Sequence, residues 1–123
     1  MELPLIVKRQ IILEYIRLYG SDRYGEEWSL QDCIDVFDYF YRRYDEIFNR
    51  THPRLKNKTI REIIEKLPFV IDELDRDIDL DPDMYPTLIN AYFQQDFGPG
   101  CDYSMQHFMS GMIRALRYYE ELY

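Results

Sequence analysis

The residues best placed to do chemistry are aspartates at every second position, Asp75, Asp77, Asp79, Asp81 and Asp83. Oxygen ligands at that spacing suit a hard cation such as calcium. The first three match the opening positions of an EF-hand loop, and Asp81 and Asp83 take the seventh and ninth. The match then fails, because Leu80 stands where the turn needs glycine and Pro86 where a bidentate glutamate closes the shell. Starting the frame at Asp77 puts Pro82 at the turn and Leu88 at the end, which is no better. No integral metal and no cofactor is expected.

The other reactive side chains are few: His52, His107, Cys33 and Cys101. None forms a recognisable constellation by spacing. There is no glycine-rich phosphate loop, nucleophile elbow, zinc pair or His-Glu helix motif. Carboxylates in a solvated loop are poorly suited to acid–base work, so a non-enzyme is expected. Cys33 falls on an apolar helix side and Cys101 in a Gly-Pro-Gly loop, which points to reduced thiols rather than a disulfide framework.

The aspartates matter more as a field than as ligands. Between Asp72 and Tyr103 nine acids (Asp72, Glu73, Asp75, Asp77, Asp79, Asp81, Asp83, Asp96 and Asp102) face one base, Arg76, giving nine minus one, or −8. That equals the formal charge of the whole chain. Residues 1–71 carry twelve acids and twelve bases, and residues 104–123 two of each. A local field of one sign attracts a basic partner or a cation and says little about fold. The expected contact residues are Asp75, Asp77, Asp79, Asp81, Asp83 and Asp96, with Tyr85 and Tyr92 as aromatic anchors.

Helices must position this stretch. Pro4 starts a first helix whose apolar side is read as Leu5, Ile6, Ile12, Leu13, Ile16 and Tyr19, with Glu14 on the wet side and Gly20 behind the end. Ser21 to Trp28 reads as a loop, with Trp28 stapling the next helix to the core. Ser29 caps that helix, answered by Asp32, and Leu30, Cys33, Ile34, Phe37, Phe40, Tyr41, Tyr44, Ile47 and Phe48 recur at helical spacing for about six turns. A basic, solvated loop follows, with Arg50, His52, Arg54, Lys56 and Lys58. It is too short, beside an acidic body, for direct nucleic-acid binding.

Thr59 and Glu62 form a capping box for a short helix, and Pro68 kinks it or restarts it through Phe69, Val70, Ile71 and Leu74. The aspartate run reads as a loop broken by Pro82. Pro86 leads a further helix ended by Gly98-Pro99-Gly100. Asp102 caps the last helix, with Met105, Phe108, Met109, Met112, Ile113, Leu116 and Tyr119 on its inner side. The expectation is all-α: one domain over residues 1–123, an irregular bundle of five or six helices with an acidic loop. No apolar run approaches the roughly 20 residues that span a bilayer, and the N-terminus lacks the pattern of a signal peptide, so a soluble, cytoplasmic protein without membrane contact is expected.

Tyr85 to Phe97 resembles a stretch of the immunity proteins of contact-dependent growth inhibition systems: a proline-led helix, then Tyr92-Phe93, polar residues, Gln95-Asp96 and an aromatic, here Phe97 where the family has Trp. The likeness covers thirteen residues of 123. It implies a non-catalytic protein that neutralises a cognate toxin domain by binding it. The acidic stretch leads to the same class, since it can occupy a site where a toxin nuclease holds phosphate. A phage-encoded DNA mimic of the anti-CRISPR type, aimed at a defence nuclease's cationic channel, would use the same physics. A plain helical adaptor is the third class. If the aspartates hold no metal, a chelator leaves the melting temperature of the dialysed protein unchanged; retained stoichiometric calcium or zinc would contradict this.

Overall fold

The computed structural model describes residues 3–20, 28–71, 74 and 77–112. The chain is mostly helical, with one small two-stranded sheet among the described residues. In order the elements are α1 (Leu5–Tyr19), α2 (Leu30–Phe48), α3 (Asn57–Lys66), strands β1 (Phe69–Ile71) and β2 (Asp77–Asp79), a 3-10 turn at Pro82–Met84, α4 (Tyr85–Phe93) and α5 (Met105–Ser110). The expected Ser21 loop, and Ile113, Leu116 and Tyr119 of the last helix, lie outside the described residues.

α2 forms as its sequence dictates. Ser29 Oγ accepts from the Asp32 backbone N–H at 3.1 Å while the Asp32 carboxylate accepts from Ser29 N–H at 2.9 Å, a reciprocal cap that satisfies two orphan donors. Cys33, Ile34, Val36, Phe37, Phe40, Tyr41 and Tyr44 turn inward, and Asn49 ends the helix at φ 55°. α2 packs against both α1 and α4, and its rings meet Phe93 and Phe108 of α4 and α5, with centroids 4.9 and 5.5 Å from Phe40.

α1 buries a face rotated from the one its sequence suggests, with Ile12 and Tyr19 of the expected face still half-buried against the core. Val7, Gln10, Ile11, Glu14 and Tyr15 point inward, whereas Leu5, Ile6, Leu13 and Ile16 are exposed. The physical reason is the pairing with α3, because Glu14, fully buried, accepts from Arg17 at 3.2 Å and Arg61 at 3.4 Å, and Gln10 Nε2 donates to the Leu55 carbonyl at 3.1 Å. A buried carboxylate is tolerable only with such partners.

Further corrections concern caps and loops. α3 begins at Asn57, before Thr59, so Thr59 and Glu62 lie within the helix instead of bracketing its start. Ser104, not Asp102, caps α5: its Oγ accepts from His107 N–H at 3.1 Å, while Asp102 Oδ1 accepts from Ser104 N–H at 3.0 Å. α4 ends at Phe93, ahead of the Gly-Pro-Gly segment.

The restarted helix after Pro68 is absent, and the acidic loop is in part a strand. Phe69, Val70 and Ile71 pair antiparallel with Asp79, Ile78 and Asp77. Two of the β1 residues are β-branched, and charge alternating with Ile78 suits a strand with one face in solvent. Pro68 has no N–H to give, but its carbonyl accepts from Leu80 N–H at 2.9 Å and closes the hairpin base.

His52 is buried, not solvated. Its ring stacks on Tyr41 at 4.4 Å, Nε2 accepts from Met105 N–H at 2.9 Å, and Nδ1 lies 2.7 Å from the Pro53 carbonyl. Only the neutral tautomer with its proton on Nδ1 satisfies both. Burial lowers the His52 pKa below 6.5, against smaller opposing effects of the Pro53 carbonyl and Asp102. The unfolded chain therefore binds this proton more readily. His52's contribution is complete above about pH 6.5 and declines as pH falls from there through the lowered folded value. Urea unfolding at pH 7.5 and 5.5 should show the parent losing more stability on acidification than His52→Gln; equal losses would remove His52 from this role.

Candidate functional site

The hairpin sorts its residues by the two-residue period of a strand. Val70 and Ile78 face inward as a cross-strand pair; Phe69 opposite Asp79 and Ile71 opposite Asp77 face out. Phe69 is 42% exposed, Ile71 55% and Leu74, between the strands, 68%. Exposed apolar side chains alternating with carboxylates make a surface that is sticky and acidic together. Large apolar groups clustered on a surface mark interaction sites, whereas isolated ones do not.

The acidic strip continues along the chain. Asp81 precedes the 3-10 turn and Asp83 lies in it, both exposed. Asp83 lines a cleft of about 330 Å³ with Asp32, Asp35 and Asp38 of α2, where Arg42 is the cation. Several of these α2 acids already have work to do. Asp32 caps its helix, and Asp38 accepts from Leu3 N–H at 3.1 Å and pairs with Arg42.

Of the residues expected at the site, Asp77, Asp79, Asp81 and Asp83 are all exposed, with buried Leu80 between the second and third. Asp75 lies outside the described residues. Asp96 is exposed beyond the end of α4, where its carboxylate accepts from Gly98 N–H at 2.8 Å, in a different loop. Tyr85 and Tyr92 are corrections: both are buried, so neither can anchor a partner. Tyr85 donates to the Leu67 carbonyl at 2.7 Å and sits edge-on to Trp28 at 5.5 Å. Tyr92 Oη is 2.8 Å from His107 Nδ1. Burial raises both phenol pKa values well above the ordinary range.

Sequence reasoning missed Phe69 and Ile71, which it assigned to a helix. The available signal was the β-branched run after Pro68 and the strict alternation of Asp77-Ile78-Asp79. It also missed that Asp32, Asp35 and Asp38 stand beside Asp83, a meeting between distant parts of the chain. Among the described residues, no group of three His, Cys, Asp or Glu residues is placed to hold a metal, and no helix is long and apolar enough to cross a membrane.

Compared with protein-family models, curated proteins and solved structures, the chain matches none. Within the stretch from Tyr85 to Phe97, Tyr85, Leu88, Ile89, Ala91 and Tyr92 are buried and pack α4 onto the core.

These placements separate the exposed aspartates from the buried, supporting residues by stability. Replacing Asp77, Asp79, Asp81 and Asp83 together by Asn should change each site's contribution by no more than about 0.5 kcal/mol. Tyr85→Phe orphans the buried Leu67 carbonyl and should cost about 1–3 kcal/mol. Urea titrations with unchanged slopes check both, and a large loss in the aspartate variant would make those residues structural.

Proposed function

We propose that the protein is a non-catalytic inhibitory binding protein that neutralises a basic, nucleic-acid-processing protein, of the toxin-immunity kind, in the cytoplasm. The observation that carries this reading is the outward face of the hairpin, where Phe69 and Ile71 stand opposite Asp79 and Asp77. Phosphate-binding proteins concentrate Lys and Arg around their sites, and a matching inhibitor needs exposed carboxylates with something to retain the complex once formed.

The two residue types divide that work. A rim ion pair contributes about 0.2–1 kcal/mol, so the aspartates act together, through the long-range field that speeds encounter. Burying an exposed Phe or Ile side chain is worth about 1.5–3 kcal/mol, so Phe69 and Ile71 set how long the complex lasts. A pure phosphate mimic, such as an inhibitor of a defence nuclease's DNA channel, would need the carboxylates alone. The apolar pair favours a partner surface that is basic and apolar together.

The test is association kinetics with the partner captured from the host or encoded by the neighbouring gene. Asp77/Asp79/Asp81/Asp83→Asn should slow association by tenfold or more at low salt, by about the factor several kT of field supplies, with little effect at high salt. Phe69→Ser with Ile71→Ser should speed dissociation while leaving association near the parent value. Parent-like kinetics in both variants would place the recognition surface elsewhere, and an effect of the aspartates alone would identify a phosphate mimic.

A further inference from the structure

The side chains that α1 turns to solvent are of two kinds only. Leu5, Ile6, Leu13 and Ile16 are 60, 48, 46 and 45% exposed, and the other exposed positions of the helix are Lys8, Arg9 and Arg17. The one acid of α1, Glu14, is fully buried and pairs with Arg17 and with Arg61 of α3. At about 100° per residue, the four aliphatic residues fall within a sector of about 100° that also holds Arg9, with Lys8 and Arg17 on its flanks. Lys8 and Arg9 have no ion-pair partner among the described residues. One face of α1 is thus apolar and basic together.

Burying a carboxylate while four aliphatic side chains stay wet runs against the transfer free energies of both groups. Clustered apolar exposure of this kind marks a contact surface, and the charges on α1 require that whatever covers it be acidic as well as apolar. The outer face of the hairpin has that composition. Phe69, Ile71 and Leu74 are 42, 55 and 68% exposed, and Asp77 and Asp79 are exposed beside them. The dimensions agree too: roughly 16 Å of helix from Leu5 to Ile16, against at most about 20 Å of chain from Asp77 to Asp83.

We propose that the protein associates head to tail with a second copy of itself, the apolar and basic face of α1 in one copy covering the apolar and acidic hairpin face of the next. Two unlike surfaces of one molecule make a heterologous contact, which passes from copy to copy instead of stopping at a two-fold dimer. Two α1 faces laid together would set Lys8 and Arg9 against the same bases. An anionic lipid surface would attract α1 but repel a chain of formal charge −8.

Self-association rests on the same hairpin face as the proposed inhibition, yet it is measured on the purified protein with no partner present, so either can fail without the other. Where both hold, a partner gains the hairpin by displacing α1 of the neighbouring copy. The sticky face is then covered until the partner arrives.

The experiment is sedimentation velocity over a range of concentrations, with circular dichroism to verify folding. The parent's weight-average mass should rise about twofold or more above the 15.1 kDa monomer as concentration increases. Lys8/Arg9→Glu removes one face and Phe69/Ile71→Ser the other, and each variant alone should remain monomeric. Mixed in equal amounts they retain one intact α1 face and one intact hairpin face between them, and should form a dimer of one copy of each that grows no further. Should Lys8/Arg9→Glu fail to fold, Leu13/Ile16→Gln takes its place. A parent that stays monomeric at every concentration overturns the proposal, and so does a mixture of folded variants that yields no dimer. A monomeric parent that floats with phosphatidylserine vesicles would also overturn it, assigning α1 to a lipid surface.

Discussion

Two buried hydrogen bonds hold the base of the hairpin, and the acidic surface depends on them. Trp28 Nε1–H donates to the Leu80 carbonyl at 2.8 Å, just after β2, and Tyr85 Oη–H to the Leu67 carbonyl at 2.7 Å, just before β1. The two donor rings meet edge to face at 5.5 Å, so one aromatic pair grips both ends of the hairpin. A two-stranded hairpin is marginal by itself in water. Here buried Leu67, Val70 and Leu80 seat it on the helices, and leaving either buried carbonyl unpaired would cost about 1–3 kcal/mol.

That arrangement explains why the aromatic residues nearest the aspartates are structural. A tyrosine can bury its ring provided its hydroxyl finds a partner, and Tyr85 and Tyr92 do so with Leu67 and His107. The apolar side chains that the strand register turns outward beside the aspartates are instead Phe69 and Ile71. Several polar groups inside the molecule follow the same logic, whereas Gln10 Oε1 and the Tyr41 and Tyr44 hydroxyls are buried without a partner among the described residues. Glu14, Gln10 and His52 each join segments distant in sequence, and each does so through partners matched to its donors or acceptors.

The legible parts of the fold were those governed by local chemistry. The reciprocal Ser29 and Asp32 cap, the apolar period of α2 and the helix stop at Gly20 each depend on neighbours a few residues away, and each is present. The inward face of α1 was not legible because both sides of the helix are apolar; the choice was made by Arg61, forty-seven residues from Glu14. The hairpin was hidden for a related reason, since pairing between residues 69–71 and 77–79 outweighs local preference and no tight two-residue turn announces it. At the candidate site the charge was plain in the sequence, but which aromatics face water was not, because tyrosine suits either environment.

The central claim is that the Trp28 and Tyr85 pair holds the hairpin whose outer face is the proposed contact surface. Residue-resolved amide hydrogen exchange on the parent and on Trp28→Phe tests it most directly. In the variant, amides of β1, β2 and Leu80 should exchange about tenfold or more faster, equivalent to about 1.4 kcal/mol of lost local protection, while those of Ile11 and Phe37 change much less. A uniform change across strands and helices, or none in the strands, would contradict it.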